Sequence, residues 1–160
     1  MRILLIAVGR LKAGPERELC ARYMERAAAA ARGVGLTGVE LREIDEGRAR
    51  RPEDRKVEEA RALMALVPPG ARLILLDERG KSQGSEAFAA DMGRARDGGA
   101  PALVLALGGP DGFDPALRAQ ASQVLAFGAM TWPHQLARIM ASEQIYRAIT
   151  ILAGHPYHRV

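Results

Sequence analysis

The groups able to do chemistry crowd into the last thirty residues: His134, Glu143, Arg147 and the terminal run His155-Pro156-Tyr157-His158-Arg159. Imidazoles and a carboxylate can accept protons near neutrality, and guanidinium groups can stabilise a developing anion. Glu143 and Arg147 are four residues apart, the spacing and order that pair opposite charges on one helix face. They read either as a structural ion pair or as a pair held at an interface or active site, and spacing alone leaves both open. The tail fits RNA, with Arg159 on phosphate and Tyr157 against a base. Three histidines do not make a zinc site here: there are no paired cysteines and no H-E-x-x-H helix, so no metal is expected.

Two further segments carry chemical potential. Gly108-Gly109-Pro110-Asp111-Gly112 follows the apolar run Ala102 to Leu107, and glycines let backbone approach a ligand closely. The dinucleotide fingerprint G-x-G-x-x-G is absent, so the run reads as a ligand loop or as a tight turn. Gly80-Lys81-Ser82 resembles the end of a Walker A motif, but the position for its first glycine holds Leu75, which removes the phosphate cradle. Asp77 to Gln83 is then a charged loop, touching RNA or solvated.

The elements that must position these groups alternate. Apolar runs at Arg2 to Val8, Arg72 to Leu76 and Ala102 to Leu107 predict buried strands; Val39 to Ile44 alternates as a strand with one wet face, and a short strand lies near Val124 to Phe127. Helices are predicted from Pro15 to Arg32, about Pro52 to Val67, Ser85 to about Arg96, from Asp114-Pro115, and about Pro133 to Ala153. This order predicts an α/β fold, a mostly parallel sheet with helices on both faces, in one domain over residues 1–160. Ligands of such sheets bind beyond the carboxyl ends of the strands, at 77–83, 108–113 and 128–134. The last helix is apolar around most of its circumference, interrupted only by Arg138, Glu143, Gln144 and Arg147. That excess predicts burial and a symmetric dimer.

Composition sets the outer bounds. Hydrophobic residues make up 48% of the 160-residue chain, enough for a core without disulfides. The formal charge of +4 favours an anionic partner, and arginine dominates it, since Lys12, Lys56 and Lys81 are the only lysines. A lone Cys20 and an N-terminal apolar run too short for a signal or a membrane span predict a soluble, cytoplasmic protein. A non-enzymatic RNA-binding module would fit the charge but has no need of the glycine loop. A small-molecule enzyme of nucleotide-binding type would need fingerprints that are missing.

Several motifs occur together in one family's order: Ile6-Ala7-Val8-Gly9, Leu76-Asp77-Glu78-Arg79-Gly80-Lys81, Gly108 to Gly112, Pro133-His134, Ser142-Glu143-Gln144-Ile145-Tyr146-Arg147-Ala148 and His155 to Arg159. Over its whole length the chain resembles the small SPOUT-class methyltransferases of the large ribosomal RNA. The resemblance implies a trefoil knot near the C-terminus, a homodimer with active sites at the interface, and S-adenosylmethionine as donor. It implies a 23S rRNA substrate methylated at N3 of a pseudouridine; a 160-residue chain with no separate RNA-binding domain is expected to need a preformed surface, the assembled ribosome or large subunit. It places Leu76, Gly108, Gly109, Gly128, Ala129, Met130, Thr131, Trp132 and Pro133 around the donor, with Gly109 needed because a side chain would obstruct the ligand. Trp132 departs from a more aliphatic family pattern. His134, Arg138, Glu143, Arg147, Tyr157, His158 and Arg159 are placed on the substrate side.

Overall fold

The computed structural model describes residues 1–159. Five strands form one parallel sheet: β1 (Arg2–Val8), β2 (Gly38–Ile44), β3 (Arg72–Ser82), β4 (Ala102–Leu107) and β5 (Gln123–Ala126), in the order β2-β1-β4-β3-β5. Helices α1 (Pro15–Ala31), α2 (Pro52–Met64), α3 (Ser85–Asp97), α4 (Pro115–Gln120) and α5 (His134–Leu152) connect or follow them.

Period-two alternation sorts the strand side chains into two layers. Ile3, Leu5, Ala7, Leu103, Leu105 and Leu107 meet α1, α3 and α5. Leu4, Ile6, Ala102, Val104 and Ala106 meet Leu63 of α2 and Leu117 of α4 on the other face. Both faces are covered, so β1 and β4 are apolar at almost every position. At the sheet edge β2 is only half-buried, matching its alternating sequence.

Two local readings need correction. Residues 77–82 are not a loop: β3 continues through them to Ser82. The continuation is visible only in pairing, because Leu125 of β5 faces Leu76 and then, after a register shift, Lys81. Gly80 allows this, since a Cβ there would lie 2.6 Å from the carbonyl carbon of Leu125. Ser85 opens α3 as expected, behind Gly84 at the N-cap, and its Oγ donates to Gln144 Oε1 at 2.7 Å, tying α3 to α5.

The second correction concerns Arg138. Along α5, positions 138, 141, 142, 145, 148 and 149 form the buried stripe. Arg138 belongs to that stripe and is fully buried, so it continues the inner face of the helix rather than interrupting it. Its guanidinium pairs with Glu43, donates to Gly9 O at 2.8 Å, and reaches His134 Nε2 at 3.1 Å. A buried cation must be paired to be tolerated, and Glu43 with the carbonyl at the end of β1 provides this. No helix among the described residues is long and apolar enough to cross a membrane.

Candidate active site

Beyond the carboxyl ends of β1, β4, β3 and β5 lies a cleft of about 820 Å³. Val8 and Gly9 close one side, Gly108 to Phe113 the floor, Leu76 to Arg79 another wall, and Phe127 to Trp132 with His134 the last. In a parallel sheet the chain leaves every strand at this end, and β1 is flanked by strands reached in opposite directions, so a crevice opens here. Leu76, Leu107, Leu125 and Phe127 give it apolar walls. Arg10, Lys56, Arg79 and Arg118 stand on its lining together with Glu46 and Asp77.

Most of the positions expected around a donor meet in this cleft: Leu76, Gly108, Gly109, Gly128, Met130, Thr131 and Trp132 all line it, and Ala129 and Pro133 lie in the same segment. Gly128 has φ +101°, a conformation that side chains rarely adopt, so the turn after β5 depends on glycine. Thr131 Oγ1 donates to Glu78 Oε2 at 2.7 Å and joins this segment to β3. Trp132 Nε1 donates to Phe127 O at 3.2 Å. Met130 remains 75% exposed, Leu136 43% and Trp132 42%.

The reason for Gly109 differs from the expected one. A Cβ there would strike Glu59 Oε2 at 2.9 Å and Val8 Cγ1 at 3.1 Å, behind the loop. The constraint comes from inside the protein.

His134 opens α5 at the cleft, and its pKa is lowered by burial and then by Arg138, which keeps the imidazole neutral at pH 7. Since guanidinium only donates, Nε2 accepts from Arg138.

The other expected catalytic residues form a separate cluster. Glu143 Oε1 accepts from Arg147 Nη2 at 2.6 Å, Arg147 Nε at 2.9 Å and Tyr157 Oη at 2.9 Å. Arg147 lies over the Tyr157 ring at 4.8 Å and its Nη1 is 3.3 Å from His158 Nδ1. Tyr157 also packs on Tyr146, with ring centroids 4.7 Å apart. Burial, then the bond to Glu143, raises the Tyr157 pKa, so the phenol stays protonated. Arg159 is exposed at the end of this tail. Nine residues separate His134 from Glu143, about 14 Å of helix, and thirteen separate it from Arg147, about 20 Å. The structure therefore joins Glu143, Arg147, Tyr157 and His158 to one another but not to the cleft of their own chain.

Comparison with known proteins follows from this geometry. A family model described as "Predicted SPOUT methyltransferase" matches residues 1–158. The chain belongs to the SPOUT methyltransferase family. A protein of Methylocella silvestris named "Ribosomal RNA large subunit methyltransferase H" is 58% identical over 99% of each chain. One of the same name from Brucella anthropi is also 58% identical over 99% of each chain. A solved structure, a probable methyltransferase from Bordetella pertussis Tohama I, covers 92% of this chain and 95% of its own at 17% identity with TM-score 0.48.

In this SPOUT chain, sequence reasoning missed the contribution of β1 and α2 to the cleft. Val8, Gly9, Arg10 and Leu11 line it, although the strand-end rule alone marks the loop after β1. Glu59 is buried beneath the glycine loop, in a helix whose sequence reads as solvated throughout. Its clue is register: Glu59 lies four residues before buried Leu63, on the face that α2 turns to the sheet.

Proposed function

We propose that this SPOUT methyltransferase transfers methyl from S-adenosylmethionine to N3 of a pseudouridine in the 23S rRNA of the large ribosomal subunit, acting in the cytoplasm as a homodimer. The observation that carries the reading is the pairing of a glycine-floored cleft with near-full-length relatives that bear a large-subunit rRNA methyltransferase name. The cleft fits the donor. Its volume is in the range that encloses a cofactor, its walls at Leu76, Leu107, Leu125 and Phe127 suit an adenine ring, and its polar rim suits the amino-acid end.

Leu76, Gly108, Gly109 and the segment from Gly128 to Pro133 would hold the donor. Bound there, S-adenosylmethionine supplies an already activated methyl group, so the chain's part is largely positioning. A trefoil-knotted path agrees with two features: β3 runs on beside β5 past Leu125, and Glu78 ties it to the segment after β5.

The N3 proton must leave. His134 is the neutral imidazole on the cleft, although Arg138 occupies its Nε2; His158 and Glu143 are the other acceptors. Cationic Arg147 and Arg159 suit the negative charge that develops on the base. Since the cluster at Glu143 lies along α5 from the cleft, the reading needs a second copy to bring its tail to this chain's cleft. Exposed Met130, Trp132 and Leu136 beside the cleft suit that contact.

Mass spectrometry of 23S rRNA from cells with and without the protein tests the assignment. Loss of one methyl from a pseudouridine, restored by adding the protein to isolated large subunits, is the expected result. Unchanged rRNA, or no calorimetric heat with S-adenosylmethionine, would sink it.

A further inference from the structure

One face of α2 reaches two chain segments at once. Arg55 and Glu59 are a helical turn apart and point the same way. The Glu59 carboxylate, 5% exposed, accepts Gly47 N–H at 2.9 Å and packs directly against Gly109. One turn earlier Arg55 makes a two-pronged bond to Asp111, at 2.7 and 3.0 Å, and donates to Ala49 O and Arg50 O at 3.2 and 3.1 Å. Each residue therefore ties the segment 47–50 to the glycine loop 109–111.

Both tied segments sit at the cleft. Gly109 and Asp111 line it, as does Glu46, which adjoins Gly47. Close approach is built in on both sides: a Cβ at Gly109 would meet Glu59 at 2.9 Å, and one at Gly47 would meet Arg55 O at 2.7 Å. A core role does not account for the choice of residue. Glu59 occupies a position facing the layer that holds Leu63, where an apolar side chain would avoid the cost of burying a carboxylate. That cost shows as a carboxyl pKa raised chiefly by desolvation.

We propose that Glu59 is a positioning residue for the methyl donor, holding the glycine loop and the segment around Gly47 in the one arrangement that leaves the cleft open to it. This rests on the S-adenosylmethionine reading above. Arg55 reinforces the tie through Asp111. The carboxylate does not touch the reacting atoms; it acts by holding the segment at Gly47 and by backing Gly109, which keeps the glycine loop in place.

The test uses the full chain with Glu59→Leu, which fills the space and removes both acceptors, and Glu59→Gln, which keeps one acceptor oxygen. Calorimetric titration with S-adenosylmethionine, thermal melting and steady-state kinetics on large subunits are read together. The expected result for Glu59→Leu is a melting temperature at or above that of wild type. Its donor Kd and KM rise about 10-fold or more, with a smaller fall in kcat. Glu59→Gln gives a rise of about 3-fold. A packing role would lower the melting temperature and leave the donor Kd of the folded protein unchanged, and that pattern overturns the proposal. So does a wild-type Kd in Glu59→Gln, which decides the matter if Glu59→Leu does not fold. If wild-type protein itself gives no heat with the donor, it is the cofactor reading that has failed; if wild type binds and both variants match it, only the role of Glu59 has.

Discussion

At its N-terminal end α5 borders a hollow made mostly of main chain: glycines after β4 and β5, the end of β1, and carbonyls held by buried Arg138. About two and a half to three and a half turns on, the same helix carries a cluster made of side chains, in which Glu143, Arg147, Tyr157 and His158 satisfy one another. The first region is open, and its titratable groups, His134 with Glu46, Asp77, Glu78 and Asp111, are spread around its lining. The second packs its groups into direct contact with one another. A backbone cradle can hold a donor with little sequence signal beyond glycine, whereas recognition and proton handling need side chains. Under the proposed function, dividing the two along one helix leaves a single chain short of one of them, and a second copy would be the economical way to reunite them.

The sharpest way to break this comparison is to disable the two regions in different chains. His158→Ala and Gly128→Val are each expected to lose about 100-fold or more in turnover. Mixed after unfolding and refolding together, they should regain a substantial part of the activity. His158→Ala alone should retain the wild-type donor Kd by calorimetry. No recovery on mixing would place both regions in the service of one chain.

Gly109→Ala comes next. The added carbon meets Glu59 and Val8, so a loss of about 1–3 kcal/mol in unfolding free energy is expected, together with weakened donor binding. Denaturant melts and titration measure both, and an unperturbed variant would show that the loop has slack.

Glu143→Gln acts on the other region. It leaves Arg147 without its charged partner in a half-buried setting, and a loss of about 1–2 kcal/mol is expected in melts, with donor affinity untouched. A change in donor affinity would link the two regions within one chain.

Smaller still is a pH effect. Burial raises the Glu59 carboxyl above its ordinary value of 4.5, so the native protein takes up this proton at a higher pH than the unfolded chain. The ionised form weakens the fold above the raised pKa, and the penalty fades as pH falls through it towards 4.5. The stability advantage of Glu59→Leu over wild type should therefore be greater at about pH 8 than at about pH 5. An advantage that grows on acidification would contradict the cause assigned to the shift.

What the sequence made legible follows the same division. The apolar runs of β1 and β4 announce a sheet covered on both faces, and the glycine loop announces the cleft. The continuation of β3 was hidden because Asp77 to Ser82 is polar, and only pairing across the register shift to β5 makes it a strand. Arg138 was read as a break in the apolar circumference because it is charged; its spacing with Ala141, Ser142, Ile145, Ala148 and Ile149 puts it on the core stripe. Glu143 and Arg147 pair as their spacing allows, but neither that spacing nor the tail's composition says that Tyr157 folds back onto them. Such contacts are tertiary, and no local pattern encodes them.

The order of strands carries one more consequence, for how the molecule comes into being. β1, the second strand of the sheet, hydrogen-bonds along its length to β4, with Arg2 beside Ala102. During synthesis the amino-terminal strand must therefore wait, with only β2 to lean on, until some hundred further residues have left the tunnel. Such long-range closure slows folding and leaves apolar edges uncovered meanwhile, so nascent chains should depend on holding factors until β4 emerges.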